Sequence, residues 1–234
     1  MEDQSKWKAK LALACFFALV GGIFVGSLIL GVVSLGMGID ILNPPFPIAL
    51  ISIPINETII LGITLLFARY KGASLKELGL KRASFGILMT VSIAVLPLLL
   101  MVWGISIGEE MLLGPDPTAE LLENALTPRN SIQLAVMIAF SLVLVGPCEE
   151  LAFRGFVQKG FENSFGKMRG LLLTSGLFGI VHGLNTLYAI APVFVAGLVF
   201  GYVWQRTGGN TIVAALMHGV YDAIALAIAY SLAI

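Results

Sequence analysis

From Leu11 to Leu35 the chain carries no charged side chain, and further long apolar stretches follow. This feature limits the fold more than any other. A run of 18 or more such residues is long enough to cross about 30 Å of hydrocarbon as a helix. Inside hydrocarbon every backbone N–H and C=O must be satisfied within the protein, which leaves helices or closed barrels. No stretch shows the alternation of period two that a membrane barrel needs. The chain therefore reads as all-α, a polytopic membrane helix bundle. Composition agrees: 12% of residues are charged, about half the share found in soluble domains.

Seven spans can be drawn, at about Leu11–Leu35, Phe46–Phe67, Phe85–Ile107, Ser131–Phe161, Met168–Leu184, Leu187–Gln205 and Thr211–Ile234. The first is longer than a signal-peptide core and lacks a small-residue cleavage site, so it reads as a transmembrane helix. The fourth exceeds the roughly 20 residues that a simple span needs. A kink at Pro147 and a C-terminal part emerging from the membrane are expected there. With no linker and no internal repeat, residues 1–234 form one integral-membrane domain.

Charge sets the expected orientation. Lys6, Lys8 and Lys10 precede the first span, and Arg69, Lys71, Lys76, Lys81 and Arg82 lie between the second and third. Lys159, Lys167 and Arg169 follow the fourth, and Arg206 follows the sixth. The alternate loops hold Arg129 against Asp40, Glu109, Glu110, Asp116, Glu120 and Glu123. The positive-inside rule then places the N-terminus in the cytoplasm and the C-terminus outside. The acidic loop Gly114–Asn130 has room for a short amphipathic helix. Net charge is zero, and nothing suggests nucleic acid. Cys15 and Cys148 both lie in apolar segments and read as packed free thiols.

Within these apolar runs a few polar residues stand out. Glu149, Glu150 and Arg154 fall in the fourth span, and the only histidines, His182 and His218, fall in the fifth and seventh. A charge in a membrane interior costs about 2.5–3.5 kcal/mol even on the lenient insertion scale, so such residues usually serve function. Glu150 and Arg154 share a helix face and can pair. Glu149, rotated about 100° from Glu150, can then face a cavity. Phe178 with His182, and His218 with Asp222, also stand one turn apart, and a carboxylate so placed can orient an imidazole. At a helical rise of 1.5 Å, Glu149 lies about 15 Å from Lys159, His182 roughly 20 Å from Arg169 and His218 roughly 18 Å from Arg206. All three can meet in the cytoplasmic half of the bundle. Glu109 and Glu110 lack this setting, since Gly114 stands where a pairing arginine would be. Glu57, beside Asn56 and after Pro54 in the second span, suits either an interhelical polar clasp or a place in the site.

Glu149-Glu150-x-x-x-Arg154, Phe178-x-x-x-His182 and His218-x-x-x-Asp222, in this order, resemble the motifs of the CAAX-protease and bacteriocin-processing intramembrane proteases, also called the Abi family. The resemblance covers about a third of the chain, in a motif-bearing core at about 131–234. The stretch from Ser74 to Leu80 looks like the cytoplasmic loop that often precedes this core. The final Asp222 is common in prokaryotic members, whereas eukaryotic prenyl-protein endopeptidases have asparagine there. A bacterial or archaeal plasma membrane is implied.

The resemblance implies a membrane-embedded endopeptidase acting on a membrane-anchored protein or hydrophobic peptide, prenylated or not. Glu149 would act as base with His182, while His218 and Asp222 would stabilise the oxyanion. Glu150, Arg154 and Phe178 would support them. A second arrangement places zinc or another divalent metal on His182, His218 and Glu149, a ligand set that hydrolytic zinc sites use. The chain has no His-Glu-x-x-His helix and no Gly-x-Ser-x-Gly element. The alternatives are a non-catalytic membrane scaffold or immunity-type protein, and a proton-coupled transporter.

Overall fold

A computed structural model describes residues 7–40 and 45–233. Lys6, one of the basic residues before the first span, and Ile234, the end drawn for the last span, lie outside the described residues. The helices are α1 (Ala9–Gly36), α2 (Phe46–Tyr70), α3 (Phe85–Leu113), the short α4 (Ala119–Leu126), α5 (Ser131–Phe165), α6 (Lys167–His182), α7 (Ile190–Arg206) and α8 (Thr211–Ala233). Among the described residues there is no strand. The starts of α3 and α5 follow their sequences: Ser84 Oγ accepts from the Ile87 N–H, and Asn130 Oδ1 accepts from the Gln133 N–H. Gly166, with φ 82°, makes the reversal between α5 and α6, a backbone conformation that side-chain-bearing residues resist.

Six helical segments are long and apolar enough to cross a membrane. The fifth expected span is α6, which has only 16 residues. It nevertheless accompanies α7 across the bundle. A Cβ added at Gly201 would strike Leu171, one at Gly197 would meet Ser175, and one at Gly179 would meet Phe194. These contacts define an antiparallel pair in close approach, the packing that small residues allow between membrane helices. With α7 beside it along its length, α6 need not span hydrocarbon alone.

In the fourth span the helix runs without interruption from Ser131 through Pro147 to Phe165. It widens into π turns at Ser141–Val145 and at Leu151–Gln158. A proline lacks the N–H that would bond to residue i−4 and its ring crowds that carbonyl. Here residue i−4 is Val143, inside the first π turn, so the wider turn accommodates the ring. The second π turn is buried along its whole length. Trp7 closes it by donating its indole N–H to Phe156 O at 2.8 Å and stacking on the Phe156 ring.

Two apolar cores form on either side of α5. One joins α1, α2, α5 and α6 around Phe16, Phe153, Phe156 and Phe178. The other joins α3, α7 and α8 around Val95, Phe200, Val213 and Met217. The outer faces of α1 and α3 expose Phe24, Leu28, Ile93 and Leu100, as lipid-facing helices do. The basic loops collect at one end. Lys159 donates to Glu77 O, Lys81 to Gly208 O, and the Ala9 N–H to Ser164 Oγ. At the other end the Thr186 hydroxyl donates to Asp116, and Tyr188 to Gly114 O.

Candidate active site

The short stretch between the two π turns, Gly146–Glu150, carries both central carboxylates. It meets α8 at two glycines. A Cβ on Gly146 would lie 2.6 Å from Ala215 O, and one on Gly219 would lie 2.7 Å from Ser141 O. This backbone approach brings His218, next to Gly219, against Glu149 and Glu150.

Glu150 lies at the centre of a dry polar knot. It and Arg154 are fully buried, with Arg154 Nε 3.1 Å from Glu150 Oε2. The other oxygen, Oε1, is 3.1 Å from His218 Nδ1. A carboxylate paired with arginine can only accept, so Nδ1–H is the donor. Arg154 also donates to Gly197 O at 3.4 Å, and its guanidinium lies 4.6 Å from the centre of the Phe178 ring. Phe200 stacks on the His218 ring at 4.9 Å. Phe178 therefore acts as a wall that supports Arg154 and both imidazoles, lying 4.6 Å from His182 and 5.9 Å from His218. The bond from Glu150 to His218 was not anticipated, because spacing along one helix says nothing about contacts between helices.

Glu149 is turned away from the knot. Its Oε2 lies 4.0 Å from His218 Nε2 and makes no hydrogen bond. Asp222 Oδ2 is 3.5 Å from the same His218 nitrogen. Glu149 borders a cavity of about 600 Å³ with His182, Glu57 and Asn56, walled by apolar Val20, Ile60 and Val181. The rim includes Phe24 and Leu184, both exposed, so the cavity opens on apolar surface. A second cavity of about 470 Å³ also contains Glu149, Glu57 and Asn56, now with Asp222 and Ser141. His182 Nδ1 is 2.9 Å from Phe178 O. A carbonyl only accepts, so Nδ1 donates, and a neutral ring presents Nε2 as an acceptor.

The structure thus brings Glu149, Glu150, Arg154, Phe178, His182, His218 and Asp222 into one region. As to a metal on His182, His218 and Glu149, among the described residues no three His, Cys, Asp or Glu side chains are grouped so as to hold a metal ion. Each histidine commits Nδ1 to a protein partner, and His218 turns Nε2 toward Asp222. Outside the spans, Asp116 receives hydrogen bonds from the Thr118 N–H, the Thr118 hydroxyl and the Thr186 hydroxyl. What burial it has works to raise its carboxyl, but these bonds outweigh it and hold the group below its ordinary value of 3.8.

A helical membrane bundle with paired acids and imidazoles at a cavity defines a class, that of polytopic proteins with an intramembrane polar site. Residues 131–224 go further and match the family described as Type II CAAX prenyl endopeptidase Rce1-like. The match begins at the first residue of α5 and ends within α8, so it contains all seven residues just named. The motif-bearing region is therefore Rce1-like, in agreement with the CAAX-protease resemblance. No curated protein and no solved structure matches the chain.

Proposed function

We propose that this protein is an intramembrane endopeptidase that hydrolyses a peptide bond in a membrane-anchored protein or hydrophobic peptide. The observation that supports it most is the shared cavity of Glu149 and His182, apolar on its walls and open on lipid-facing surface. Glu149 takes a proton from a water whose oxygen attacks the scissile carbonyl carbon, and His182 Nε2 assists by accepting a hydrogen bond. As the C–N bond breaks, the proton moves from Glu149 to the leaving nitrogen. His218, held by Glu150 and Asp222, directs Nε2–H at the developing oxyanion when its ring is doubly protonated. Three carboxylates around that ring provide an acceptor for each N–H of the charged form.

The N-terminus and the basic loops lie in the cytoplasm in this reading, which places the site in the cytoplasmic half. The test compares one peptide with and without a lipid anchor, using purified protein in vesicles. The anchored form should have the larger kcat/KM, rising roughly fourfold per buried methylene at about 0.8 kcal/mol each. Equal values would mean that the site draws substrate from bulk water.

A further inference from the structure

Glu57 takes no part in the mechanism above and lies outside the Rce1-like region, on α2. It is 5% exposed, and its Oε2 is buried without a hydrogen-bond partner. A buried carboxylate in hydrocarbon is too costly to be incidental. Its position explains it. Glu57 and Glu149 border both cavities, whereas His182 borders only the larger of these two and Asp222 only the smaller. The two carboxylates therefore stand where the chambers adjoin, one on α2 and one on α5. Each keeps a buried oxygen with no hydrogen bond.

We propose that Glu57 is a further catalytic residue, which holds the second O–H of the attacking water while Glu149 takes the first. This rests on the endopeptidase reading. A water bound to one carboxylate can rotate about that single hydrogen bond. Acceptors on two helices fix both of its protons and leave a lone pair free to face the scissile carbonyl. The water oxygen bonds to the carbonyl carbon, and the carbonyl π electrons move onto oxygen. One water proton passes to Glu149 and later to the leaving nitrogen as the C–N bond breaks. Glu57 gains no proton; it accepts a hydrogen bond from the hydroxyl that remains on carbon.

The test uses Glu57→Gln and Glu57→Ala in the full chain, beside wild type and Glu149→Gln, with an anchored peptide. An amide oxygen still accepts a hydrogen bond, so Glu57→Gln should lose about tenfold in kcat and Glu57→Ala about 100-fold, the scale on which misplaced reactants lose rate. KM should change little in either. A structural clasp would instead lower the melting temperature and leave kcat per folded molecule unchanged, which would overturn the proposal. Equal loss in the two variants would also overturn it, since that points to proton transfer by Glu57.

A hydrophobic carbodiimide gives a readout that needs no turnover. Glu57 and Glu149 should label competitively, one adduct between the two on each chain, because the first adduct fills the junction. Adducts on both Glu57 and Glu149 of one chain, or labelling of Glu149 alone, would overturn the shared placement. Wild-type protein without cleavage, or a fully active Glu149→Gln, would defeat the endopeptidase reading instead, and the labelling would still decide where Glu57 faces.

Discussion

Glu150 is fully buried, 3.1 Å from Arg154 and 3.1 Å from His218, whereas Glu149, one residue earlier, borders two cavities and leaves Oε2 unbonded. The contrast comes from about 100° of helical rotation. One helix thereby supplies a carboxylate that braces and another that is available to react. A buried charge without a partner is strongly destabilising, so Glu150 needs Arg154. Glu149 lies at a cavity wall, where water or substrate can serve as its partner. The two should therefore fail differently when changed.

Glu149→Gln tests the available side of the pair and should have the largest effect on rate. Loss of a general base lowers kcat by about 10²–10⁴-fold, while the near-isosteric amide leaves melting and membrane accumulation unchanged. Full activity in this variant would remove Glu149 from the role of base. Arg154→Ala tests the bracing side. It strands Glu150, a class of change that costs about 3–5 kcal/mol, and should reduce folded protein far more than the rate per folded molecule. Glu150→Gln combined with Arg154→Gln should recover part of the loss. If Arg154→Ala melts like wild type, the knot does not brace the fold.

Asp116 is the control for both, a carboxylate outside the spans whose partners are hydroxyls and one N–H. Its folded value is depressed below 3.8, so its contribution to stability is complete above 3.8 and is lost as pH falls through the lower folded value. Thr186→Ala should move its titration back toward the ordinary value, as followed by carboxyl NMR, with little change in melting at neutral pH. An unchanged titration would show that the Thr186 hydroxyl does not hold this carboxylate.

The helical class, the main apolar runs and the three motif segments were legible in the sequence because each is a local property. Charges inside apolar runs are conspicuous, and one-turn spacing places Glu150 with Arg154 and His218 with Asp222 without knowledge of neighbouring helices. Other details were less legible. Met168–Leu184 reads as a span, and the helix there is the 16-residue α6 packed along α7. Pro147 marks an irregular point of the fourth span, but the π turns on either side of it within one continuous helix are not readable from that segment.

The sequence by itself therefore determined that this protein is a membrane helix bundle, and which residues are too costly to be mere lipid-facing positions. Tertiary structure alone decided that Glu150 bonds His218, that Glu149 shares its cavities with Glu57, and that both histidines commit Nδ1 to the protein. Helical periodicity specifies the face a residue occupies on its own helix. The angle and height at which two helices meet depend on how closely their backbones can approach. Here Gly146 and Gly219 permit that approach, and a Cβ at either would push α5 and α8 apart. The site is built across this contact, so its geometry appears only once the helices are packed.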